Sequence, residues 1–229
     1  MAQDTGVLPD REIEALVASG AIRTDTPLDE GQVQPASLDL RLAEDAYRLR
    51  ASFLPGKDRT VAEMLQEPGI HLHRIDLTQE GAVLETGCVY IVPLMETLAL
   101  PQDVSATTNP KSSTGRLDVF TRVITDEGRA FDTVPAGYRG PLYAEISPRT
   151  FPVLVREGSR LSQIRFRIGD PFVSDRQPDR EGPNRAGGLG LGLFIAKTLL
   201  ERAGATLTFE NDDGARITIT WPRWRMETE

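Results

Sequence analysis

Two stretches of this 229-residue chain concentrate side chains able to move protons or hold phosphate. The first is Asn109-Pro110-Lys111-Ser112-Ser113-Thr114-Gly115-Arg116-Leu117, a turn followed by two hydroxyls and an arginine ahead of an apolar run. Backbone amides and hydroxyls in such a turn suit phosphate, and Arg116 suits a carboxylate or a phosphate. The same residues also read as a capped turn with a surface arginine. The second stretch runs from Ala136-Gly137-Tyr138-Arg139-Gly140 into Leu142-Tyr143-Ala144-Glu145-Ile146-Ser147, where a single carboxylate interrupts an apolar strand. Burial raises the pKa of such a group and a nearby guanidinium lowers it, and the balance makes a proton shuttle. Alternation leaves a second reading open: Tyr143, Glu145 and Ser147 share one strand face and Leu142, Ala144 and Ile146 the other, so Glu145 can also be an outward group on an amphipathic strand.

Metal-activated water is not expected. Zinc enzymes acting on nucleobases show H-x-E followed by P-C-x-x-C, whereas this chain has one cysteine, Cys88, and two histidines, His71 and His73. The histidines, two residues apart on a strand, read as solvated or packing side chains. A lone cysteine in the apolar run Cys88-Val89-Tyr90-Ile91-Val92 excludes an intrachain disulfide and suits a buried structural thiol in a reducing, cytoplasmic setting.

The elements that must position these groups are mostly strands. Short β-rich runs separated by turn residues cover Ser37–Leu42, Ala46–Phe53, Arg74–Leu77, Cys88–Leu94, Leu117–Ile124, Leu142–Ile146, Phe151–Val155 and Leu161–Ile168. They follow a short amphipathic helix opened by Pro9-Asp10, with Asp10 as N-cap, and stopped by Gly20. This pattern predicts a mainly β fold, a distorted barrel or jelly roll, rather than alternating βα units. With 39% hydrophobic and 26% charged residues the chain is ordinary for a globular protein, and its net charge of −8 excludes broad attraction to nucleic acid or acidic membranes. No run of residues approaches the length of a membrane helix, and the N-terminus lacks a signal peptide's basic and apolar regions.

Taken together, Gln34-Pro35-Ala36-Ser37-Leu38-Asp39-Leu40-Arg41-Leu42, the Pro110–Leu117 turn, and Gly137–Glu145 followed by Arg156-Glu157-Gly158-Ser159-Arg160-Leu161 resemble the successive motifs of dCTP deaminases, a branch of the dUTPase superfamily. The resemblance spans residues 8–167 in the right order. It implies a dUTPase-like fold and metal-free deamination of dCTP to dUTP and ammonia, with Mg²⁺ accompanying the triphosphate. It also implies homotrimers whose sites are shared between neighbouring subunits. Carried over by position, Glu145 takes a proton from water and delivers it to the cytosine ring as C4 is attacked. Ser112 then fixes base or water, and Arg116 holds the glutamate's ionisation and orientation. Lys111, Ser113, Asp132, Tyr138 and Arg139 become nucleotide contacts.

The chain departs from that family after Ile168. Long bacterial members continue into a second, related half, and short members close the site with a phosphate-contacting segment; neither pattern is seen here. Gly169–Arg185 reads as a linker or lid, and residues 169–229 as linker plus tail, set against a first domain at 1–168. The tail is a glycine run from Gly187 to Gly192, a helix over Leu193–Ala203, and a hairpin of Thr206–Glu210 and Ala215–Trp221. Gly188-Leu189-Gly190-Leu191-Gly192-Leu193-Phe194-Ile195-Ala196-Lys197 and this hairpin resemble the end of a sensor histidine kinase ATP-binding domain, an apparent fusion lacking the kinase's upstream boxes. Two further readings stand beside deamination. One is a catalytically silent fusion that keeps only the fold or nucleotide binding. The other is a dUTPase-type pyrophosphatase, with Arg185-Ala186-Gly187-Gly188-Leu189-Gly190 as its closing arm.

Overall fold

The computed structural model describes residues 6–168 and, as strands, 206–211 and 215–220. The elements run β1 (Gly6–Val7), α1 (Asp10–Ala18), β2 (Ile22–Arg23), β3 (Val33–Gln34), β4 (Ser37–Arg41), β5 (Asp45–Leu49), α2 (Val61–Gln66) and β6 (His71–Asp76). They continue with β7 (Ala82–Leu84), β8 (Val89–Ala99), β9 (Val104–Pro110), α3 (Ser112–Arg116), β10 (Val119–Thr125), β11 (Thr133–Val134) and β12 (Arg139–Pro148). β13 (Val153–Val155) and β14 (Arg160–Ile168) complete the first of two compact units, Met1–Ser174; β15 (Thr206–Asn211) and β16 (Ala215–Thr220) belong to the second, Asp175–Glu229.

Two six-stranded antiparallel sheets and a two-stranded pair of β7 with β13 make the first unit. One has the order β11-β9-β14-β4-β3 with β1 added on β14, the other β10-β12-β8-β5-β6 with β2 added on β8. Leu42 and Leu94 bridge from the end of β4 to β8, so the sheets meet at a corner as in a distorted barrel. This is the mainly β, dUTPase-like architecture expected from the sequence. The main core lies between the sheets and includes Leu38, Leu40, Leu42, Val92, Leu142, Ala144, Ile146, Ile164 and Phe166. A smaller cluster of Leu49, Val61, Leu65, Ile91, Ile124 and Tyr143 lies apart from it. Because Tyr143 alternates with the core residues Leu142 and Ala144, this cluster covers the second sheet's other face. It is roofed by α2, whose start is fixed by a capping box between Thr60 and Glu63 and by Asp126 Oδ1 accepting from Val61 N at 2.8 Å.

β4 shows how one strand serves two purposes, since all five of its residues are buried. Leu38 and Leu40 enter the core, while Ser37, Asp39 and Arg41 each find a polar partner on the other face. Arg41 Nε donates to Glu96 Oε1 at 2.8 Å, and Gln32 Nε2 donates to the same oxygen at 2.7 Å. A buried ion pair costs desolvation energy unless its remaining groups are bonded; here Arg41 also reaches Pro27 O and Thr24 Oγ1, and Glu96 Oε2 accepts from Arg41 N.

Several local expectations are corrected. Asp10 is the first residue of α1, not its N-cap, a position held by Pro9. Cys88 is half-buried rather than buried, with Arg48 Nη2 3.0 Å from its sulfur. β9 and α2 have no counterpart among the expected elements, and the segment around Ser112 forms a turn of helix before β10 begins. The tail's hairpin is present as antiparallel β15 and β16, with Thr206 opposite Thr220. The expected linker, glycine run and Leu193–Ala203 helix lie outside the described residues.

Candidate active site

β12 is the strand that positions the glutamate. Its register against β10 is unbroken from Val119 opposite Pro148 to Thr125 opposite Leu142, so alternation holds throughout. Glu145 therefore leaves the core face, as the parity reading allows, yet it is only 2% exposed. Both sequence readings of this residue thus hold in part: it points away from the main core and is buried nonetheless.

Directly opposite on β10 stands Arg122, whose Nε donates to Glu145 Oε1 at 2.7 Å. The guanidinium is held from three sides. Its Nη2 donates to Ser52 Oγ at 2.9 Å, its Cζ lies 3.4 Å from the Phe131 ring centroid, and Phe120 lies 5.1 Å away. Such cation–π contacts strengthen as water is excluded. Glu145 Oε2 is buried with no hydrogen-bond partner, as is Ser147 Oγ two residues along the same face. An orphan carboxylate oxygen is costly in a finished core.

Asp132 adjoins this pair. With φ at 60° it caps the edge of β10: Oδ1 accepts from Val123 N and Thr108 Oγ1, both at 2.8 Å, and its own N–H donates to Val123 O at 2.9 Å. Burial pushes its carboxyl above the ordinary 3.8, partly offset by these donors and by Arg122, while the charge of Glu145 pushes the same way as burial.

The other expected residues fall elsewhere. Arg116 and Ser112 are exposed on α3, and neither bonds to Glu145; within the chain the guanidinium on that carboxylate belongs to Arg122. Ser113 is exposed as well. Lys111, expected as a nucleotide contact, has its Nζ paired with Asp39 Oδ2. Tyr138 donates its hydroxyl proton to Pro141 O at 2.6 Å and accepts from Asp126 N at 3.0 Å. Burial raises its pKa. Tyr138 and exposed Arg139 line a cavity of about 490 Å³ together with Thr125, Asp126, Arg129 and Pro135. Asp132 lines a different cavity, also about 490 Å³, with Arg122, Phe120, Phe131 and Arg149. Of the five expected nucleotide contacts, Lys111 and Ser113 lie at the start of α3, Tyr138 and Arg139 at one cavity, and Asp132 at the other, which α3 also borders through Gly115.

Arg122 is the residue missed from the sequence. A charged residue inside Val119-Phe120-Thr121-Arg122-Val123-Ile124 is visible, but its pairing with Glu145 depends on a register that a long connection leaves unspecified. Among the described residues no three His, Cys, Asp or Glu side chains converge in the way a protein metal cage requires. His71 instead places Nδ1 2.6 Å from Leu65 O and packs edge-on to Tyr47.

With its two antiparallel sheets meeting at a corner, the first unit belongs to the dUTPase-like fold class. Within it, the chain belongs to the dCTP deaminase family: the model of the 2'-deoxycytidine 5'-triphosphate deaminase N-terminal domain matches residues 4–170. The crystal structure of 2'-deoxycytidine 5'-triphosphate deaminase from Agrobacterium tumefaciens superposes with a TM-score of 0.70 at 65% identity, over 73% of this chain and 49% of that one. This chain thus spans about half the length of that relative. A "dCTP deaminase, dUMP-forming" from Beutenbergia cavernae is 32% identical over 168 residues, 72% of this chain and 81% of its own length. The expected kinase likeness is also found: sensor histidine kinase RegB of Cereibacter sphaeroides is 46% identical over 75 residues, 26% of this chain and 16% of the kinase.

Proposed function

We propose that the first unit is a hydrolase that deaminates dCTP, with Glu145 as its acid and base. The observation that carries this reading is the split state of the glutamate's two oxygens: Oε1 is held by Arg122 and Oε2 is buried and unpartnered. A carboxylate so fixed can take a proton from water as the oxygen bonds to C4 and pass it to the ring nitrogen, then take the second proton from the new C4 hydroxyl and pass it to the amine as the C4–N bond breaks, releasing ammonia. No metal is needed at the base. Mg²⁺, held by the triphosphate, neutralises phosphate charge.

The product we propose is dUMP, in place of the dUTP expected from the sequence, because curated relatives such as the Beutenbergia protein are named dUMP-forming. That outcome adds pyrophosphate release to ammonia release. Exposed Ser112 and Arg116, facing away from contacts with their own chain's Glu145, suit completion of a neighbouring subunit's site in a homotrimer. The RegB likeness supports a fusion in which a kinase-like fragment follows the deaminase unit in a cytoplasmic protein.

The test is to incubate the protein with each deoxynucleoside triphosphate and Mg²⁺ while following ammonia and pyrophosphate together. Both products from dCTP support the reading. Binding without turnover supports a silent fusion, and pyrophosphate from dUTP alone a pyrophosphatase. Glu145→Gln should abolish ammonia release and leave the melting transition in place; turnover retained in that variant removes Glu145 from its role.

A further inference from the structure

The fold accounts for most of the Gln34–Leu42 motif: its leucines fill the core and Arg41 is taken up by Glu96. Asp39 is different. It is 2% exposed, and its Oδ2 receives Lys111 Nζ, with Arg160 Nη1 4.0 Å away. Lys111 is the residue that precedes α3, a five-residue helix far too short to persist by its own hydrogen bonding. The helix is tied down twice more, both times to one carbonyl on the neighbouring strand: Lys111 N and Thr114 Oγ1 each donate to Leu161 O at 2.9 Å. Thr114 is buried, whereas Ser112, Ser113 and Arg116 stay exposed and form no side-chain hydrogen bond or ion pair among the described residues. Neutralising Asp39 does not by itself require Lys111, because Arg160 stands beside the same oxygen. What Lys111 adds is a link from β4 to the first residue of the turn.

We propose that Asp39 is a positioning residue, which through Lys111 fixes the pose of α3 and hence the direction in which Ser112 and Arg116 are presented to substrate. The proposal rests on the deaminase reading above, and it gives the polar face of the Gln34–Leu42 motif a part in catalysis as well as in folding. Small displacements of a substrate-orienting group cost rate steeply, on the order of a hundredfold for 1 Å.

The experiment uses the full chain carrying Asp39→Asn or Lys111→Met, with Glu96→Gln as a control that loosens the other buried pair next to β4 without touching α3. Hydrogen exchange at the amides of Gly115, Leu117 and Asp118 should accelerate at least tenfold in the first two variants and stay native in the control. Ammonia release from dCTP should fall at least tenfold in kcat/KM in Asp39→Asn. That loss should shrink when Asp39→Asn is added to Arg116→Ala, because a helix without its arginine has only Ser112 left to misplace. Native exchange rates at the three amides, or an undiminished loss in the Arg116→Ala background, overturns the proposal. Should the wild-type protein release no ammonia, the deaminase reading fails separately, and the exchange rates alone then decide whether Asp39 holds α3.

Discussion

Glu145 and Arg122 face each other across β10 and β12 as a pair in which one member is almost fully enclosed, at 2% side-chain exposure against 25%. Removing the arginine leaves an uncompensated buried charge, whereas replacing both partners is far gentler. Arg122→Met should therefore destabilise the protein by about 3 kcal/mol, measured by urea unfolding, and Arg122→Met with Glu145→Gln should recover part of that loss. Equal stability of Arg122→Met and wild type would mean that the pair holds nothing. Asp132 offers a pH signature. Burial raises its carboxyl above the ordinary 3.8, so the folded protein binds this proton more tightly than the unfolded chain does. Stability from this group is present below 3.8 and is lost as pH climbs through the raised value. Asp132→Asn keeps an acceptor for Val123 N and Thr108 Oγ1 without the charge. In melts taken from acid to neutral pH the variant should gain on wild type across that interval, and a constant difference in Tm would refute the assignment. At this scale the sequence was half legible. A lone carboxylate between Ala144 and Ile146 announces itself by type, but Arg122 needs a partner strand to give it meaning, and Arg116, equally conspicuous by type, is exposed and makes no bond to Glu145.

Strands that alternate or run apolar were readable as elements: β4, β8, β12 and β14 all fall on expected runs. β9 was not, because Val104-Ser105-Ala106-Thr107-Thr108-Asn109-Pro110 looks like a polar loop, and its interior position between β11 and β14 comes from pairing rather than hydrophobicity. α2 was legible in principle, since Thr60 and Glu63 form a capping box whose spacing is written in the sequence. Losing that cap by Thr60→Ala should cost about 1 kcal/mol and loosen the roof over Tyr143, whose hydroxyl pKa burial already pushes up to about 12. Gly81 tests the packing of elements more sharply. It turns the chain into β7 with φ at +80°, and a Cβ there would stand 2.2 Å from Val155 O on β13. Both strain and clash oppose any side chain, so Gly81→Ala should lower stability by about 3 kcal/mol in urea unfolding. A near-neutral result would show that the β7–β13 pair is able to part without consequence for the barrel.

The change in composition near Gly169 reads as a chain in two parts, and the structure forms two compact units, Met1–Ser174 and Asp175–Glu229. Assembly is another matter, because no periodicity in one sequence states which of its exposed groups meet a second copy. The arrangement of the first unit narrows the question. Arg122 satisfies Glu145 from within the chain, while α3 is anchored at its base and offers Ser112 and Arg116 outward, with Leu117 and Phe120 exposed beside them. Glu145 and its proposed helpers make no bond to each other within one chain, so they can serve one reaction if subunits share sites, as in the homotrimer proposed above. Closed cyclic assembly makes this testable by mixing. Glu145→Gln, inactive in pure form, and Arg116→Ala, reduced to residual turnover, should regain ammonia release well above either parent when unfolded together and refolded as mixed trimers. With random assortment, about a quarter of sites draw both native residues, one from each variant. Activity near that fraction, with the mixture eluting at the wild-type size, supports sharing of sites between subunits. Mixtures no more active than their parents would place Glu145 and Arg116 in service of the same subunit's chemistry, and would require α3 to move towards β12 before substrate is turned over.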